Sequence, residues 1–142
     1  MQGPFLCKYG VQFTVDFQLY QTDGVSLKTD AVYAAGDVKI MKDEGAEANT
    51  TNGFTDEGQG YTIVITATEA QAACIVLYIV DQTSPAVWLA TCVVIETYGN
   101  ASGQHAFDLG TATQKVDVDT IKTQAVTCAA GVTVLASVGT PD

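Results

Sequence analysis

From Val11 to Tyr20 the side chains sort without a break into two alternating sets, Val11, Phe13, Val15, Phe17 and Leu19 against Gln12, Thr14, Asp16, Gln18 and Tyr20. A period of two fits an extended strand with one face buried, and no helix keeps such sets apart. The strand is predicted to end at Thr22-Asp23-Gly24, whose Asp-Gly pair takes the positive φ of a tight turn. A short piece from Val25 to Leu27 can then pair back. The same period recurs with Val38 and Ile40 inside Asp37–Met41, and with Tyr61, Ile63 and Ile65 inside Tyr61–Thr66. Between these runs lie a polar turn at Asp43-Glu44-Gly45 and a ragged hairpin over Ala46–Phe54, closed by Asp56-Glu57-Gly58.

Ala73–Val80 and Val87–Ile95 are different, being apolar on both faces and joined by a turn near Ser84-Pro85. Strands of that kind must be covered on both sides. One face belongs to the core; the outer face is expected to lie under the chain's own tail or a neighbouring subunit. Thr68–Ala72 carries the one helical signal of this region, a single turn capped by Thr68. Composition agrees with strands: Val, Ala and Ile dominate an apolar fraction of 47%, and thirteen glycines supply turns.

A chain of 142 residues is long enough for one real core. The polar stretch Tyr98–Gln104 marks a boundary. Residues 1–104 are read as a β-sandwich domain, with strands within 11–98, and residues 105–142 as an extended arm or stalk packing on neighbouring subunits. In the arm, Val116 and Val118 alternate with Lys115, Asp117 and Asp119, Thr120–Gln124 fits a helical turn equally well, and Val126–Val138 reads as a hairpin or strand turning at Ala130-Gly131. So little apolar bulk does not fold alone.

Net charge is −10, with six lysines and no arginine. Nucleic-acid binding is therefore not expected, because phosphate neutralisation needs clustered Lys and Arg. An anionic membrane surface is disfavoured for the same reason. The acidity suits a protein kept soluble at high local copy number. Met1–Gly10 holds no apolar region of signal-peptide length, and Ala72–Val80 is too short to span a bilayer as a helix, so a soluble product made in the cytoplasm is expected.

Cys7, Cys74, Cys92 and Cys128 form no CxxC or Cys/His pattern, and the last three sit in Val, Ile and Ala stretches as small hydrophobes. Cys74 and Cys92 are expected to be diagonal neighbours across the hairpin, generally too far apart for a disulfide. The one histidine, His105, lies in a polar linker beside no candidate nucleophile. No GxxxxGK[ST] or GxGxxG sequence occurs. The clusters Asp43-Glu44-Glu47, Asp56-Glu57 and Asp117-x-Asp119 lack the spacing of an EF-hand, and turn chemistry accounts for the first two. Trp88, Tyr78 and Tyr98 fall on the hydrophobic hairpin, where packing explains them better than a sugar platform. No catalytic residue, cofactor or metal is expected.

The succession VQFTVDFQLYQTDG, DVKIMKDEGAEANTTNGF, GYTIVITATEAQAACIVLYIVD and VWLATCVVIETYGNASGQHAFDL resembles the amino-terminal β-sandwich module of tailed-bacteriophage structural proteins, of tail-fibre-like and head-decoration-like kinds. The tail TQKVDVDTIKTQAVTCAAGVTVLASVG looks like the stalk segment that follows this module. The resemblance covers most of the chain and carries no catalytic motif. It implies an immunoglobulin-like antiparallel sandwich of about seven strands with a carboxy-terminal arm, and a virion protein made in the host cytoplasm. The expected role is capsid decoration, with tail-fibre or baseplate service, or a self-polymerising bacterial surface filament, as alternatives. Expected partners are further copies, as a homotrimer, and virion proteins such as the major capsid or tail proteins. The interface residues expected are Ile75, Leu77 and Trp88 on the outer face of the hairpin, and Val116, Val118, Ile121 and Val126 in the arm.

Overall fold

The computed structural model describes residues 6–102. Every regular element among them is a strand: β1 (Leu6–Lys8), β2 (Phe13–Phe17), β3 (Val38–Lys42), β4 (Ala48–Asn49), β5 (Phe54–Asp56), β6 (Tyr61–Ile65), β7 (Cys74–Ile79) and β8 (Thr91–Tyr98). They form two sheets, one of five strands in the order β1-β8-β7-β3-β4 and one of three in the order β2-β6-β5. All neighbouring strands are antiparallel except β1, which joins the last strand in parallel with Leu6 opposite Glu96. Among the described residues no helix is long and apolar enough to cross a membrane.

One core lies between the sheets. Val15, Phe17, Tyr61, Ile63 and Ile65 enter it from the three-stranded sheet, and Val38, Ile40, Ile75, Leu77, Ile79, Val93 and Ile95 from the other. The alternation in β2 and β6 therefore has its expected meaning, with one exception. Val11 is exposed, because the strand begins only at Phe13. Ahead of it Gly10 turns with positive φ and donates its amide to the carbonyl of Ala70, so the chain enters β2 from the side.

Aromatic rings fill the centre. Phe54 meets Phe17, Tyr61, Tyr33 and Trp88 edge-on, at centroid distances of 5.7, 5.2, 5.5 and 6.3 Å. Such edge-to-face pairs add about 0.5–1.5 kcal/mol each beyond burial. Gly53 makes room for this cluster, because the Tyr33 ring lies where a side chain at that position would stand.

The expected hairpin over Ala46–Phe54 is split between the sheets. β4 pairs with β3, and β5 pairs with β6. Side chains satisfy the backbone at the crossing: the Thr50 hydroxyl donates to the carbonyl of Asn52 (2.8 Å), and the Asn52 amide donates to that of Val64 (2.8 Å). Between β3 and β4 the turn at Asp43 and Glu44 has positive φ at both residues, 47° and 59°, as hairpin turns of type I′ require.

The turn between β6 and β7 starts two residues earlier than predicted. Thr66, not Thr68, is its cap. Its hydroxyl accepts the Glu69 amide (3.3 Å), while the Glu69 carboxylate accepts the Thr66 amide (2.9 Å). This reciprocal pair is a capping box. A single turn follows, and no helix, before the chain enters β7.

Candidate functional site

Two exposed apolar regions stand out, and both follow from how the strands are placed. The first is the outer face of the five-stranded sheet. In β7, Ile75, Leu77 and Ile79 point inward with 0% exposure, so Cys74, Val76 and Tyr78 point outward. In β8, Val93, Ile95 and Thr97 are buried, so Cys92, Val94 and Glu96 face out. The register lines these up in rows: Met41, Val76 and Val94; Lys39, Tyr78 and Cys92; Cys74, Glu96 and Leu6. Val94 and Leu6 are 48% and 49% exposed. The three-stranded sheet contrasts with this, because β2 and β6 turn Thr14, Asp16 and Thr62 outward.

The hairpin is thus apolar on both faces, as the sequence indicates, but three of the expected interface residues lie on its inner side. Ile75 and Leu77 are core residues because pairing with β3 places Leu77 opposite Ile40 and Ile79 opposite Val38, all on the same face. Trp88 is buried against Phe54 and is bridged to Gln21, outside β8 altogether. Two apolar sets alternate along one strand, and the sequence alone does not say which is inward. Val116, Val118, Ile121 and Val126, together with His105, Cys128 and the Asp117-x-Asp119 pair, lie outside the described residues.

The second region is the end of the sandwich formed by the long connections 18–37 and 80–90. Of the nine exposed large hydrophobics among the described residues, six are here: Tyr20, Val25, Val32, Val80, Val87 and Leu89. Val25 and Val32 are 82% and 84% exposed. Nothing in the sequence marks them as one surface: Val32 stands alone without periodicity, and Val25, Val80 and Val87 fall at the ends of predicted strand pieces.

These connections are tied down. Leu89 donates its amide to the carbonyl of Tyr20 (2.9 Å), and Gln21 bridges to Trp88. The buried Asp37 accepts the amides of Ala34 (2.8 Å) and Gln82 (3.0 Å), so one carboxylate holds both connections. Asp23 accepts the amides of Val25 and Ser26 and the Ser26 hydroxyl, all within 2.9 Å, and these bonds hold its carboxyl below its ordinary value. Asp81 accepts the amides of Thr83 and Val87. Apolar tips are therefore presented on a fixed frame, which lowers the entropy lost on binding.

Chemistry of other kinds finds little support among the described residues. No group of three or more His, Cys, Asp or Glu side chains there is arranged to hold a metal ion. Cys7, Cys74 and Cys92 are free thiols. Cys74 and Cys92 are not diagonal neighbours, since Cys92 faces Tyr78, four residues along β7 from Cys74. Nor is Cys92 a buried hydrophobe; it is exposed on the outer face. Burial pushes the Cys7 thiol up to about 11, which makes it a poor nucleophile.

No family model, curated protein or solved structure matches the chain. The functional reading therefore rests on these surfaces and on the phrases of the sequence.

Proposed function

We propose that this chain is a non-enzymatic structural module of a tailed-bacteriophage virion, acting as a capsid decoration or cement protein of head-fibre-like kind. The observation that carries the reading is the tied-down end of the sandwich, where six apolar side chains stand in solvent on a strongly acidic chain. Large apolar side chains gathered at one end and left in solvent favour a binding surface. A fixed frame of this sort suits docking onto a preformed particle.

The sandwich is proposed to be immunoglobulin-like. Strand order supports this: β2, β6 and β5 take the places of B, E and D, while β3, β7 and β8 take those of C, F and G, with β4 added beside C. Residues 105–142 are proposed as an arm that brings copies together, with a homotrimer as the expected assembly, and Val116, Val118, Ile121 and Val126 at its contacts. The major capsid or tail proteins are the proposed partners, and the virion is the proposed location.

Copy number per purified particle tests this reading. Many copies bound to heads, with raised resistance of the heads to heat or osmotic shock, is the expected result. A few copies per particle would move the protein to the tail fibre or baseplate, and polymerisation by the chain alone would make it a filament subunit. Separately, changing Val118 and Ile121 together to Asp should give monomers in sedimentation, and an unchanged oligomer would remove the arm from the interface.

A further inference from the structure

We infer that the outer face of the five-stranded sheet is covered by the carboxy-terminal segment of the same chain, residues 127–138. This goes beyond the assembly reading, which rests on the connections at one end of the sandwich and on arm contacts up to Val126, and it names the occupant of a different surface. The face needs a cover: Val76, Tyr78, Cys92 and Val94 stand on two adjacent rows set by the register, and Leu6 lies in the next row, across Glu96. Among the described residues the charged side chains that the register places on this face are Lys8, Lys39 and Glu96, so it carries no acidic excess and the net charge of −10 does not repel an uncharged strand from it.

The sequence supplies a matching segment. Residues 123–141 contain no Asp, Glu, Lys or Arg, and within them Val132, Val134, Ala136 and Val138 fall on alternate positions. An extended strip of that composition, left in water, is as poorly accommodated as the face itself.

The route also fits. The chain leaves β8 at Tyr98, on this same sheet, and turns at once: Gly99 has a φ of 86°, and the Ser102 amide donates to the Asn100 side chain (2.9 Å). About 24 residues then separate the turn from the segment, and a tether of this kind gives an effective concentration in the millimolar range. Docking within one chain is thereby favoured over capture from another copy at micromolar concentration.

The test uses the full chain and the Cys92 thiol, which reports on the face directly. Alkylation of Cys92 by iodoacetamide, followed by mass spectrometry, should be roughly tenfold slower in the unaltered chain than in V134D/V138D, as expected for a tethered contact populated about ten to one. The slow rate should persist on dilution. Slow alkylation that becomes fast on dilution would assign the cover to a second copy and overturn the inference while leaving the assembly reading intact. Equal rates in the two chains, fast or slow, would also overturn it. As an independent check, V94K on the exposed face should speed tryptic cleavage after Lys122, with an unchanged thermal melt; unaltered cleavage counts against the contact. Loss of particle binding, with Cys92 still protected, would instead sink the assembly reading alone.

Discussion

The Tyr61 hydroxyl donates a 2.6 Å hydrogen bond to the carbonyl oxygen of Lys28 and accepts the amide of Ala31 at 2.9 Å. One side chain at the start of β6 thereby anchors the long connection between β2 and β3 to the core. Removing the hydroxyl leaves the buried Ala31 amide and the Lys28 carbonyl without this partner, which costs about 1–3 kcal/mol. Tyr61→Phe should lower the urea midpoint accordingly, with an unchanged m-value. A larger effect on the connection than on the strands should appear in amide exchange, fastest at 29–33.

Glu69 closes the capping box and also accepts the Thr51 amide at 2.7 Å. Burial pushes its carboxyl up, but the bonds from Thr66 and Thr51 outweigh this and bring the value below its ordinary 4.5. The folded state therefore binds the proton less readily than the unfolded state. Stability from this group is present above about pH 4.5 and is lost as pH falls through the lower folded value. The side chain is partly solvated, so screening keeps the contribution small. Glu69→Gln should be less stable by about 0.5–1 kcal/mol at pH 7, and its deficit should shrink toward pH 3 in denaturant titrations.

Ile75, Leu77 and Trp88 separate two accounts of the hairpin. As core residues, Leu77→Ala should cost about 2–5 kcal/mol and Trp88→Ala about 3–5 kcal/mol in the stability of the isolated chain. Val94→Ala, on the outer face, should cost far less. Equal, small effects at all three positions would place them on the surface, against the register with β3.

How much of this was legible beforehand varies by element. Strand β2, β6 and the inward set of β3 are read directly from the sequence, because apolar and polar residues alternate and only one set can be buried. β7 and β8 are also legible as strands, but both of their sets are apolar. Their facing is decided only by pairing with Val38 and Ile40, and so the sequence does not reveal that Ile75 and Leu77 face inward. Trp88 misleads for another reason: it is buried from a loop, with no period to betray it. The crossing at Thr50–Gly53 looks like a hairpin in the sequence because local turn residues do not reveal which sheet the next strand joins. The apolar end of the sandwich is invisible in sequence, since Val25, Val32, Val87 and Leu89 reach the same end only through two connections tied by Asp37 and by the Tyr20–Leu89 bond.

Val25 and Val87 provide the sharpest test of that end as a binding surface. Both are exposed, and neither belongs to the core cluster, so a polar replacement changes stability by no more than about 0.5 kcal/mol. Each removes apolar area that a partner would bury, and full burial of a valine is worth about 1.5 kcal/mol or more. Val25→Asp with Val87→Asp should therefore leave the thermal melt unchanged while weakening attachment to the particle by at least roughly tenfold, taking 1.4 kcal/mol per decade. The reverse substitution pattern, Thr14→Asp with Thr62→Asp on the polar face of the three-stranded sheet, should leave attachment as it was. Co-sedimentation of each variant with purified heads distinguishes these outcomes, and undiminished attachment of the valine variant would exclude this end as the contact.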